Sequence, residues 1–336
     1  MPAEPTLVGR CAVVGDGSMG TTLAHVIAAG GHECTLWCRS AETAAAIARD
    51  GRHPDRPRHA LDPRLRATTS LAEAVDGAAL VVVAVHSTEF RGTARALGAL
   101  ATPEQVLLSA TKGIELPTLR LMSDLLREAA PECAVGTLGG PNITGEIMDG
   151  QASALLVASP SDQARALAVR ALSAPHLLVL STDDLWSVEL VSVLKNVAAI
   201  AVAIGAGMGM GHNGQGLLLS RALAEIRALV AALGADAGAC DGPAGIADLF
   251  LTATSPQSLN RRLGMELGRG RRLEEILPEL PEVPEGIGAV RASGTLAERA
   301  GVALPLCAVT ARILEGEEAP GALERVLMEA PQEPSR

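Results

Sequence analysis

Two lysines stand apart from every other cation in the chain. Of 28 basic residues only Lys112 and Lys195 are lysine, and the rest are arginine. On an exposed surface the two residue types are close to interchangeable, but where a proton must move, or a compact ammonium must fit, they are not. Lys195 lies in LVSVLKNVAAIAVAIG, one ammonium in an apolar helical run. An unpaired buried charge costs several kcal/mol, roughly, and Leu or Ala would serve a core better. Burial also draws a lysine pKa toward neutrality, which suits a general acid or base. Lys112 lies in SATKGIE, just past a β-rich run, and Gly113 allows a sharp turn beside it.

A third feature is CAVVGDGSMG at residues 11–20, a G-x-G-x-x-G at Gly15, Gly17 and Gly20. The pattern is weak alone. Here it follows an apolar β-run, opens a helical stretch from Thr21 to Ala29, and precedes a second β-run at His32–Trp37. That context makes it a dinucleotide fingerprint. Gly15 serves the tight turn, Gly17 the approach of a pyrophosphate, and Gly20 close helix–strand packing. The amides of Ser18 and Met19 then face the phosphates at a helix N-terminus. Where an acidic residue would select NAD by its ribose 2′-hydroxyl, the chain has Cys38-Arg39-Ser40. Arg39 can accommodate a 2′-phosphate or lie over the adenine, so NADP is expected to be favoured, with NAD also usable.

The elements that must position these groups follow from periodicity. Short β-branched runs alternate with Ala/Leu/Arg-rich helical stretches at Cys11–Gly15, His32–Trp37, Ala79–Val85, Gln105–Ala110, Ala134–Leu138, Ser153–Ala158 and Leu177–Ser181. This predicts an α/β Rossmann-type, doubly wound, largely parallel sheet. Such sheets bind ligands at the C-terminal ends of their strands, where Lys112 falls. After Asp183 the strand signal stops. Helices are expected at Leu185–Ile204, Leu217–Leu233, Ser258–Leu267, Glu285–Arg299 and Leu306–Glu315. The expected division is a cofactor domain at 1–182 and an all-α substrate and catalytic domain at 183–336.

Composition excludes other classes. The 336 residues are 48% hydrophobic and 20% charged, ample for two cores, and the net charge is −10. An acidic chain without basic blocks is a poor nucleic-acid or anionic-membrane binder. With four aromatic residues it offers no base-stacking surface. The uncharged stretch Asn196–Ser220 carries six Gly and reads as a buried helix and turn rather than a membrane span. The N-terminus MPAEPTLVGR lacks the apolar core of a signal peptide. Six cysteines without C-x-x-C spacing read as reduced thiols, and with the histidines they give no metal-ligand spacing, so no metal is expected. The Pro/Arg-rich stretch His53–His59 reads as a solvated loop, Met208 and Met210 as packing residues, His86 as a loop histidine, and PQEPSR as a frayed tail.

At this level the chain resembles the NAD(P)-dependent sn-glycerol-3-phosphate dehydrogenases over roughly residues 10–300. The resemblance is carried by GDGSMG (15–20), LWCRS (36–40), SATKGIE (109–115), GGPNITGEI (139–147), the stretch 188–226 around LKN, and GIADLFLTATSPQSLNRRLG (245–264). It implies reduction of dihydroxyacetone phosphate by NAD(P)H, feeding glycerophospholipid synthesis, in a cytoplasmic homodimer. Lys195 matches the family's general acid/base, and Lys112 the lysine contacting both substrate and nicotinamide. Gly140 and Asn142 match substrate-site positions, and Thr144 one near the cofactor. Asp248 matches the acid that holds the catalytic lysine, and Thr252 a polar substrate neighbour. Ser258 and Asn260 match phosphate contacts, and Glu285 a late cofactor contact. The chain departs from the family at Leu259, which replaces the Arg of S-R-N-R-R that bridges substrate phosphate and cofactor. His86 replaces a common Pro, and Met19 a frequent aromatic. Leu259 keeps open a paralogous dehydrogenase acting on another small anionic ketone. A non-catalytic NADP(H)-binding module is the remaining alternative, disfavoured by the cost of keeping Lys195.

Overall fold

The computed structural model describes residues 8–329; the segment PQEPSR lies outside them. The chain folds into two compact units. One comprises the chain up to Glu115 with Arg120–Glu189, the other Leu116–Leu119 with the chain from Leu190 onward.

The first unit holds ten strands: β1 (Arg10–Val14), β2 (Glu33–Trp37), β3 (Leu65–Thr68), β4 (Ala78–Val83), β5 (Val106–Ser109), β6 (Ile114–Glu115), β7 (Arg120–Leu121), β8 (Ala134–Gly139), β9 (Ser153–Ala158) and β10 (Leu177–Thr182). Eight form one sheet in the order β10-β9-β8-β5-β4-β1-β2-β3, while β6 and β7 make a small antiparallel hairpin. Every pairing in the large sheet is parallel except β8 with β9, so the expected Rossmann-type architecture is present with two reversed strands at one edge.

Alternation along the strands builds the core. Cys11 and Val13 of β1, with Leu80 and Val82 of β4, join one buried apolar cluster; Ala12, Val14, Val81 and Val83 join the cluster on the opposite face. A strand buried on both sides must be apolar at every position, which is why Ala78–Val83 reads as a continuous run. β3 was not foreseen, because Leu-Arg-Ala-Thr carries one large apolar residue and gains its place only by pairing with β2.

One expectation holds only in part in this unit. The stretch 53–59 is a loop with Pro54, Asp55, Pro57 and Arg58 exposed, as its composition predicts, but it is anchored at several points. His53 is only 3% exposed, bridges to Arg56 as an antiparallel pair, and accepts a hydrogen bond from the Asp55 amide at 3.2 Å. The Arg52 guanidinium donates to the carbonyls of Pro57 and Arg58 and folds the segment back on itself. Arg58 and His59 both engage Asp149.

The second unit is helical. Its long segment Leu185–Gly207, whose first residues belong to the first unit, is nearly apolar, and Val191 to Ile204 are buried almost without interruption. Among the described residues it is the helix long and apolar enough to cross a membrane by length and composition. Helix Leu259–Gly268 lies against it with no room for side chains. A Cβ on Gly264 would sit 2.5 Å from the Ala203 Cβ, and one on Gly268 would collide with the Ile204 carbonyl. Met210 fills the space beside Gly205 and Gly214, the packing role expected of it.

Candidate functional site

The phosphate-binding turn is built by sterics. β1 ends at Val14, and Gly15 leaves it at φ +115°, a conformation that favours glycine. A Cβ there would collide with the Ala84 carbonyl, and one on Gly20 with the Gly15 carbonyl. Gly17, by contrast, has nothing within 4 Å of where a Cβ would be, so its face is open to an incoming group. It is also the N-cap of helix Ser18–Ala29, provides no side-chain cap, and is followed by a first turn without acidic residues. Unsatisfied amides at a helix N-terminus favour an anion. β1 and β4 are neighbours with β2 and β5 on either side, so this turn lies at the switch point of the sheet. These residues fit a dinucleotide pyrophosphate.

Arg39 stands beyond β2, mostly exposed, and pairs with Glu89 at 3.2 Å. Ser40 caps helix Ala41–Asp50 by accepting from the Thr43 amide. Met19 packs against the apolar core. His86 caps helix Ser87–Gly98, its ring accepting from the Thr88 amide. Sequence reasoning missed one neighbour of the turn: Arg56 Nε donates to Ser18 Oγ at 2.8 Å. No local signal could have found it, since the two are 38 residues apart.

Lys112 follows β5 and is half-buried. Its ammonium donates to the Gly140 carbonyl at 3.1 Å and to Asn142 Oδ1 at 2.8 Å. The meeting is dictated by topology. β5 pairs with β8 in register (Ser109 with Thr137), so the turns that follow both strands emerge side by side. Gly140 makes its turn at φ +96°, and Asn142 is 8% exposed. Thr144, half-buried, opens the short helix Thr144–Met148.

Lys195 is the most unusual group. Its side chain is 3% exposed, and its ammonium lies 3.1 Å from Asp248 Oδ1, itself 2% exposed. Lys195 also donates to Thr252 Oγ1, whose own hydroxyl donates to the Asp248 carbonyl at 2.6 Å. Asp248 and Thr252 stand one turn apart on helix Asp248–Thr254, which continues the π-turn Pro243–Ala247. Burial of the ammonium is thus answered by a buried carboxylate and a hydroxyl, as a desolvated charge requires.

Asn260 completes a second network in this unit. Its Nδ2 donates to Asn196 Oδ1 at 3.1 Å, and its Oδ1 accepts from the Gly286 amide at 3.2 Å. Gly264 and Gly268 let the two helices close, so Asn260, one turn before Gly264, reaches Asn196, which follows Lys195. Glu285 immediately precedes Gly286, at the start of helix Gly286–Ala300. Ser258 caps helix Leu259–Gly268 by accepting from the Arg261 amide at 3.2 Å. Leu259 is half-buried at the first turn. Arg261 and Arg262 instead line a cavity of about 210 Å³ with Arg269 and Arg271, whose lining includes neither Ser258 nor Asn260.

A further carboxylate, not singled out in the sequence, is Glu189. It is 1% exposed and accepts from both the amide and the hydroxyl of Ser123. Burial outweighs those hydrogen bonds and pushes its pKa up to about 7. All six cysteines are unpaired thiols, and burial raises Cys11 and Cys38 to about 12. Among the described residues no cluster of His, Cys, Asp or Glu could hold a metal.

Comparison with known proteins fits this layout. Residues 10–165 match the family model described as NAD-dependent glycerol-3-phosphate dehydrogenase N-terminus, and residues 184–324 match its C-terminus counterpart. The chain belongs to the NAD-dependent glycerol-3-phosphate dehydrogenase family. It is 38% identical over 327 residues to the glycerol-3-phosphate dehydrogenase [NAD(P)+] of Azotobacter vinelandii, covering 96% of this chain and 95% of that protein. It is 36% identical over 306 residues to that of Alcanivorax borkumensis, covering 91% and 89%. Among solved structures, the glycerol-3-phosphate dehydrogenase of Coxiella burnetii superposes with a TM-score of 0.90 at 27% identity, covering 95% of this chain and 99% of that one.

Proposed function

We propose that this member of the family reduces the ketone of dihydroxyacetone phosphate to sn-glycerol 3-phosphate, reversibly, using NADPH or NADH. The observation that carries the reading is the buried Lys195 ammonium held by Asp248 and Thr252. Reduction of a ketone builds negative charge on its oxygen. A positioned ammonium stabilises that charge and then protonates the oxygen. In the reverse direction the neutral amine accepts the alcohol proton. Asp248 keeps the ammonium charged until it is needed, and Thr252 orients it. The bound dinucleotide supplies the hydride. The open Gly17 turn with Ser18 and Met19 takes its pyrophosphate, while Thr144 and Glu285 are assigned to the cofactor by resemblance.

Lys112, fixed by Gly140 and Asn142, is assigned to the substrate and the nicotinamide. Ser258 and Asn260 are assigned to the substrate phosphate. NADP is the favoured cofactor, because the largely exposed Arg39 can receive a 2′-phosphate. The reading places the enzyme in the cytoplasm as a homodimer feeding glycerophospholipid synthesis, on the strength of the family resemblance.

Leu259 favours one second reading, a related small anionic ketone as the natural substrate. Absorbance loss of NADPH and of NADH is measured with purified protein and dihydroxyacetone phosphate, against unphosphorylated dihydroxyacetone and a small 2-keto acid. Oxidation driven by dihydroxyacetone phosphate is the expected result. Oxidation driven only by another ketone would move the assignment to the second reading, and none with any ketone would leave a cofactor-binding module.

A further inference from the structure

We infer that Arg56 is a contact of the dinucleotide's pyrophosphate, delivered to the Gly-rich turn by the folded segment 51–61. The inference rests on the cofactor reading above and adds to it a residue outside the fingerprint.

Three observations carry it. The first is charge. Most arginines near this unit's surface are neutralised by acids, as in Arg58 with Asp149, Arg64 with Asp62 and Arg91 with Glu115. Half-buried Arg56 has no ion pair among the described residues. Its guanidinium meets only neutral oxygens, Ser18 Oγ at 2.8 Å and the Asp16 carbonyl at 3.4 Å. In a chain of net charge −10, an arginine left without a carboxylate beside a phosphate-type turn keeps its charge for an incoming anion.

The second is position. Asp16 and Ser18 flank Gly17, the glycine with open space where a Cβ would be, and Ser18 begins the uncapped helix. The guanidinium and the helix amides therefore address the same spot. This is the pyrophosphate end of the fingerprint, whereas a 2′-phosphate belongs to the end of β2, beside Arg39.

The third is that the delivery is built. The His53–Arg56 bridge, the Arg52 hydrogen bonds to Pro57 and Arg58, and the Leu61 amide on the Gly51 carbonyl fix the segment. At its far end the Asp62 amide donates to the His25 ring at 3.0 Å, tying it to helix Ser18–Ala29.

The test is direct binding. Wild-type, Arg56→Gln, Arg56→Lys and Arg39→Gln proteins are titrated calorimetrically with NADPH, NADH and ADP-ribose, with thermal melts of each apo-protein alongside. Arg56→Gln should weaken all three ligands by about tenfold or more, the scale of a lost charge-assisted contact. It should leave the NADPH/NADH ratio of Kd values unchanged. Arg56→Lys should recover part of the loss, and Arg39→Gln should alter NADPH alone. Unchanged Kd values in Arg56→Gln, with or without a lowered melting temperature, would make Arg56 a structural tie and overturn the inference. A loss confined to NADPH would also overturn it, because it would assign Arg56 to the 2′-phosphate. If neither Arg56 variant melts cooperatively, the segment's role is structural and the inference is overturned. Wild-type protein that binds none of the three ligands would remove the cofactor reading itself, a result distinct from these.

Discussion

Removing one member of the Lys195–Asp248 pair should cost far more than removing both. The pair is 3.1 Å apart with side chains 3% and 2% exposed, so neither charge can turn to water when its partner is lost. Breaking a buried pair in this way costs about 3–5 kcal/mol, several times the roughly 0.5–1.5 kcal/mol of an ordinary hydrogen bond. Thr252 stays beside Lys195 in an Asp248→Ala protein, but a hydroxyl cannot neutralise an ammonium. Replacing both by apolar groups of similar size removes the uncompensated charge along with the attraction. Lys195→Met/Asp248→Leu should therefore return to within about 1–2 kcal/mol of wild type while remaining inactive. Urea unfolding followed by far-UV circular dichroism, with slopes compared to detect intermediates, reads the four corners of the cycle. Single variants costing less than about 1 kcal/mol, or a double variant costing the sum of both, would refute the claim of a coupled buried pair.

Three more outcomes follow. Leu259→Arg should lower the KM for dihydroxyacetone phosphate by roughly 10- to 150-fold, the effect of a contact of about 1.5–3 kcal/mol, with little change for an unphosphorylated ketone; an unchanged KM would mean that the phosphate is held elsewhere. Gly264→Ala gains about 1 kcal/mol of helix propensity but forces a methyl against Ala203 and Ile200, and overpacking at about 1–3 kcal/mol should win. A raised KM would show that Asn260 has been parted from Asn196. For Glu189, burial raises the folded pKa from 4.5 to about 7, so the folded state binds the extra proton between those values. Stability from this group is present below pH 4.5 and is lost as pH rises to 7, by about 3 kcal/mol. Glu189→Gln should flatten that decline in unfolding midpoints measured between pH 5 and 8, and an equally steep decline would refute the assignment.

What the sequence discloses depends on the range of the interaction. Strand β4 and the fingerprint glycines are legible because each obeys a local rule, burial on both faces or a turn without room for Cβ. The lysines are legible by rarity, and Lys195 by its apolar neighbours. β3 is hidden because its place comes from β2 rather than from its own four residues. The segment 53–59 is legible only in part: Pro54, Asp55, Pro57 and Arg58 are exposed as its composition predicts, yet His53 is buried, and Arg58 and His59 are tied to Asp149 by contacts no local pattern encodes. Arg56 on Ser18 and Asn260 on Asn196 span 38 and 64 residues, and no periodicity encodes either. The second depends on Gly264 and Gly268, which sequence alone reads as weak helix formers. Their use is seen only where Ile200, Ala203 and Ile204 press against them.

The central claim is that Lys195 moves the proton during ketone reduction. Its most direct test is the single-turnover rate of NADPH oxidation with saturating dihydroxyacetone phosphate, in wild-type and Lys195→Met proteins of equal NADPH affinity. The account predicts a fall of at least about 10²-fold in that rate, the lower bound for losing a general acid, with cofactor binding unchanged. A Lys195→Met protein that turns over within a fewfold of wild type would contradict it.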